Sequence, residues 1–144
     1  MRLINITTNH TNEDIDDILY SLSESKIHKI KVIYDKIRFV EYVKDNFNCM
    51  FCIVNDYDLD DLRKLYDTLS VNVKMEDITK KVILGDNINT SYRSERGFNV
   101  SREINNLIED FYKENVTVDD ILDKINLKGI KSITNIDKLI LKEF

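Results

Sequence analysis

The chain has 144 residues, 42% of them apolar and 33% charged, with 26 acidic side chains against 21 basic and a formal charge of −5. That balance suits one folded domain that buries a core without staples, and it excludes intrinsic disorder. The acidic excess opposes non-specific binding to nucleic acid, no apolar run is long enough to span a bilayer, and Met1-Arg2-Leu3-Ile4-Asn5 lacks the apolar core of a signal peptide, so a cytoplasmic protein with no membrane partner is expected.

Leu3, Ile4 and Ile6 predict a short first strand. Thr11 then caps a helix whose first turn carries Glu13, Asp14, Asp16 and Asp17, a placement that suits the helix dipole. Ile15, Ile18, Leu19 and Leu22 form its apolar stripe. Ile30, Val32 and Ile33 predict a second strand. Asp35 caps a second helix with Ile37, Val40, Val43 and Phe47 inward. Met50, Phe51, Ile53 and Val54 predict a third strand apolar enough to be buried on both faces. Asp56 or Asp58 caps a third helix carrying Leu59, Leu62, Leu65, Tyr66 and Leu69, and Val71, Val73 and Met75 alternate as a fourth strand. Lys80 to Leu84 adds a candidate fifth. The expected fold is α/β: a small, mainly parallel or mixed sheet of four to five strands with packed helices, spanning residues 1–84. A ferredoxin-like or mixed sheet, with the last strand running antiparallel, is the competing arrangement. Residues 85–98 read as a polar loop with no clear period. Residues 99–144 read as C-terminal helices: a long one with Ile104, Leu107, Ile108, Phe111 and Tyr112 on one side, then a hairpin over 117–144.

Few residues suggest chemistry. Cys49 and Cys52 have redox spacing but lie in a predicted strand, where residues three apart point to opposite faces, so they read as two structural thiols. His10 and His28 have no second ligand at useful spacing. Asp35 and Asp56 each follow a predicted strand, and such carboxylates could meet at one sheet edge and hold magnesium. Helix capping explains the same positions and is the reading adopted, so no metal and no cofactor are assigned. No glycine-rich phosphate loop, no Gly-x-Ser-x-Gly and no His-Glu-x-x-His occurs, which argues against the common nucleotide-binding, hydrolase and zinc-protease classes.

Arg93, Arg96 and Arg102, with Lys80 and Lys81, make the basic patch, and Tyr92 and Phe98 stand among its arginines. Tyrosine, phenylalanine and arginine are residue types that anchor interfaces, so Tyr92, Arg93, Arg96, Phe98 and Arg102 are the expected partner-binding residues. Arg96-Gly97-Phe98-Asn99-Val100-Ser101-Arg102-Glu103-Ile104, followed by Leu107 and Ile108, resembles the turn and second helix of ribbon-helix-helix DNA-binding proteins. The resemblance covers residues 96–112. It implies a homodimer whose core is built by the apolar side of that helix.

Ile121-Leu122-Asp123-Lys124-Ile125, Gly129, Ser132-Ile133-Thr134 and Asp137-Lys138 follow a recurrent pattern. Residues 117–144 are similar to a short C-terminal helical hairpin common on proteins of Bacteroidetes bacteria and their phages. Thr134 and Asp137 have capping-box spacing, and Gly129 fits a left-handed position after the first helix. The resemblance implies a bacterial or phage origin and a docking role, and no reaction. The function expected from the whole chain is a small, non-enzymatic accessory or regulatory protein that binds a protein partner. A DNA-binding regulator using the helix after Gly97 is the alternative, and a metal-dependent enzyme with an acidic site at the sheet edge is the second.

Overall fold

The computed structural model describes residues 1–143. In chain order it contains β1 (Arg2–Thr8), α1 (Asn12–Tyr20), α2 (Glu24–Asp35), β2 (Arg38–Lys44), β3 (Phe47–Val54), α3 (Asp56–Thr68) and β4 (Val73–Asp77). There follow α4 (Thr79–Ile83), α5 (Ser101–Asn115), α6 (Val118–Lys128), a 3-10 turn (Ile130–Ser132) and α7 (Asn135–Lys142). The strands form a four-stranded sheet in the order β2-β3-β1-β4. Each neighbouring pair is antiparallel.

The mainly parallel or mixed sheet of up to five strands is therefore corrected. The path from β1 through α1 and α2 to β2 steps over the position that β3 fills, and the path from β3 through α3 to β4 steps over β1. Two interleaved split β-α-β units result, which is the ferredoxin-like topology. The sheet is covered on both sides, and this is why β3 reads like a parallel strand. Six consecutive residues of β3, Cys49 to Val54, are buried. Antiparallel sheets usually leave one face to water and so alternate.

Three local assignments change with it. Residues 30–33 lie inside α2, not in a strand. Ser23 caps that helix by accepting from the Lys26 amide at 3.4 Å, and Ile30, Ile33 and Tyr34 recur at helical spacing. Residues 38–44 are β2, not a helix. Arg38 to Lys44 pairs residue by residue with Ile53 to Phe47. Asp45 and Asn46, with φ of 53° and 67°, form the tight turn between them. Two successive positive φ values make a type I′ hairpin turn, and Asp and Asn tolerate that region better than other non-glycine residues. Lys80 to Leu84 is not a fifth strand: Asp77 Oδ1 accepts from the Thr79 amide at 3.0 Å and starts the short α4.

Two apolar cores flank the sheet. On one face Ile4, Ile6, Met50, Cys52 and Val54 meet Leu59, Leu62 and Tyr66 of α3, with Ile15, Ile18 and Ile33 of α1 and α2 partly buried against them. On the other, Leu3, Tyr42, Phe51 and Ile53 meet Ile104, Leu107 and Phe111 of α5 and Ile121 of α6. Residues 99–143 thus share a core with the sheet.

Candidate interaction surface

The segment between α4 and α5 has no regular period, yet it is tightly bonded. Ser94 N–H donates to the Phe98 carbonyl at 2.7 Å, Gly97 N–H to the Ser94 carbonyl at 2.9 Å, and Val100 N–H to the Tyr92 carbonyl at 3.1 Å. Gly97, with φ of 84°, supplies the turn between them. The Arg93 carbonyl accepts from Val43 N–H at 2.9 Å, so the turn is fixed to the free edge of β2. The Arg93 guanidinium donates back to the Gly97 carbonyl at 2.9 Å. An edge strand is thereby covered over part of its length, which blunts edge-to-edge pairing.

This frame sorts the five candidate residues. Tyr92 turns inward. It is half-buried, and its ring stacks on Tyr42 with centroids 4.2 Å apart and lies 6.4 Å from Phe51. Tyr42 in turn stacks on Phe51 at 5.1 Å and donates its hydroxyl to Asn5 Oδ1 at 2.6 Å. Phe98 turns outward and is 69% exposed. Arg93, Arg96 and Arg102 are exposed beside it, together with Glu95 and Glu103. Tyr42 did not stand out in the sequence because its position on an alternating strand is invisible when residues 37–47 are read as a helix.

The other candidates separate. Asp35 lies at the end of α2, a helix and not a strand, and is exposed. Asp56 follows β3 but is held by Arg2, whose Nε lies 2.6 Å from it while Nη1 lies 2.6 Å from Asp77. The sheet-edge pairing of the two, each after a strand, therefore loses its basis. Among the described residues no group of three or more His, Cys, Asp or Glu side chains is placed to share a metal ion. Asn55, not Asp56 or Asp58, caps α3 by accepting from the Asp58 amide at 2.8 Å. Cys49 and Cys52 belong to opposite cores. Burial raises both thiols, Cys52 to about 12, so both stay protonated near neutrality. His10 Nε2 accepts from the Asn72 amide at 3.2 Å and ties α1's entry to β4's; His28 is exposed on α2.

The helix after Gly97 and the terminal hairpin are used within the chain. Ile104, Leu107 and Phe111, the side that would build an intermolecular core in a ribbon-helix-helix dimer, face this chain's own sheet at 0%, 5% and 0% exposure. In the hairpin, Thr117 with Asp120 and Thr134 with Asp137 both close capping boxes. Asp137 is fully buried and has two further partners: Lys124 Nζ at 2.8 Å and the Tyr112 hydroxyl. Burial alone would raise the Asp137 carboxyl, but Lys124, the Thr134 amide and the Tyr112 hydroxyl outweigh it and hold it below its usual range. Burial, followed by Asp137, raises the Tyr112 phenol.

No helix among the described residues is long and apolar enough to cross a membrane. Comparison with protein-family models, curated proteins and solved structures finds no match to this chain.

Proposed function

We propose that this is a small, non-enzymatic accessory or regulatory protein of the cytoplasm that binds a protein partner through the turn at residues 93–98. The observation that carries the reading is Phe98, an aromatic side chain 69% exposed on a turn fixed by backbone bonds at both ends. A held aromatic loses little freedom on binding, and such residues dominate interface energetics. Arg93, Arg96 and Arg102 surround it on a chain that is acidic overall. Their charge favours a partner with an apolar socket rimmed by carboxylates, since complementary potentials set register and on-rate.

The test is a photo-crosslinking amino acid at position 98 in the cell that makes the protein, with a control at exposed Asp67 on the far side of α3. A discrete adduct from position 98 that is absent from the control, and is lost when Arg96→Glu is added, supports the reading. Equal labelling from both positions, or adducts to nucleic acid alone, overturns it.

A further inference from the structure

The face of the sheet under α1 and α2 is incompletely filled. Neither helix has a single fully buried side chain, although Ile15, Ile18 and Ile30 point toward the sheet. Between them, α3 and the strands lies a cavity of about 270 Å³. A dry apolar cavity of about 150 Å³ is large enough to hold benzene, so this one suits a ligand of about ten non-hydrogen atoms.

The polar groups of the lining define what such a ligand carries. Tyr34 and Tyr66 place their hydroxyls 2.7 Å apart and bond to one another. Glu41 on β2 is the one charged side chain lining the cavity, and it enters none of the ion pairs among the described residues. Desolvation, then the field of Glu95, raises its carboxyl, as befits an acid short of a counter-charge. Arg96 lines an adjoining recess with Glu41 and Glu95, and among the ion pairs of the described residues it joins neither. Next to Glu41 on the strand, Phe39 meets Tyr34 edge to face at 5.4 Å. Aromatic rings beside an unpaired carboxylate suit an organic cation, and the carboxylate repels an acid.

We propose that this cavity is a binding site for a small apolar amine, its hydrocarbon body among Ile18, Ile30 and Leu65 and its ammonium group against Glu41. Nothing in the partner-binding reading requires it.

Three probes of near-equal size decide the matter: phenethylamine, 2-phenylethanol and phenylacetate, titrated onto the full chain by calorimetry and by amide chemical shifts. The amine is expected to bind about tenfold more tightly than the alcohol, as one charged hydrogen bond gained implies, with phenylacetate weakest. Glu41→Gln, which removes the charge and keeps the shape of the side chain, is expected to bring amine and alcohol to equal affinity. Ile18→Trp, which fills the space, is expected to abolish both, and in the parent protein the shifts are expected at the residues that line the cavity, on α1, α2, α3 and the strands. Binding of the alcohol or the acid as tight as the amine overturns the proposal. So does an unchanged amine affinity in Glu41→Gln, or no binding of any probe.

Discussion

Asp137 combines three duties in one buried carboxylate. It completes the capping box of α7, accepts from Tyr112 and pairs with Lys124, all without access to water. A buried pair of this kind gives little net stability over an apolar substitute, but losing one member leaves the other charge stranded. Lys124→Met is therefore expected to cost about 3–5 kcal/mol in urea denaturation. The folded-state carboxyl of Asp137 lies below its unfolded value. Its contribution is then fully present above the unfolded value of about 4 and is lost as pH falls through the folded one. Asp137→Asn should accordingly flatten the loss of stability below about pH 4, measured as denaturation midpoints against pH. Tyr92 and Phe98 form a second contrast at this scale. Tyr92→Ala removes a ring stacked on Tyr42 and should cost about 2 kcal/mol. Phe98→Ala touches an exposed ring and should stay within about 0.5 kcal/mol. If thermal melts instead show the two losses to be equal, the inward and outward assignments are wrong.

The elements that could be read from the sequence are those whose signals are local. Thr11, Thr117 and Thr134 each cap a helix through a residue three positions on, so the starts of α1, α6 and α7 needed nothing from the rest of the chain. The region 24–47 failed because its signals conflict. Ile30, Val32 and Ile33 are β-branched and suggest a strand, yet the Ser23 cap and the cover that α2 gives the sheet prevail. Phe39, Glu41 and Val43 alternate with Val40 and Tyr42, but the period is hard to see without the Asp45-Asn46 turn that fixes the register. In the candidate site, the residue types of the turn were legible, while the inward path of Tyr92 was not, because it depends on Tyr42 from a strand fifty residues earlier. Gly129 stops α6 at a positive φ, as its place after the apolar stripe predicts, but its backbone lies at φ 86°, ψ 168°, outside the left-handed helical well. That region is essentially closed to residues with a Cβ, so Gly129→Ala is expected to destabilise by about 1–3 kcal/mol although nothing lies near the added carbon. Hydrogen exchange should show the loss first in α7, and protection of α7 equal to the parent's would contradict the assignment.

At the scale of the molecule, the sheet separates two helical layers that differ in how well they fit. The α4–α7 side buries Leu3, Phe51, Ile104, Phe111 and Ile121 at 1% exposure or less. The α1–α2 side leaves space, and α3 carries most of the contact there. The strand-bearing part therefore depends on the C-terminal helices as if on a permanently bound partner. Without them, Leu3, Tyr42, Phe51 and Ile53 would face water together, and fully exposing side chains of this kind costs about 1.5–3 kcal/mol each. A domain's net stability is only about 5–15 kcal/mol, so a loss at four positions is enough to unfold it. A fragment of residues 1–98 is expected to lack a cooperative melt, to bind a hydrophobic dye and to sediment as aggregates, even though it contains every strand and both crossovers. Adding residues 99–144 in trans should restore a one-to-one complex with a sigmoidal urea transition. A fragment 1–98 that sediments as a monomer and unfolds cooperatively would show instead that the sheet tolerates an open face, and the terminal helices would then be free to serve a partner rather than the chain that carries them.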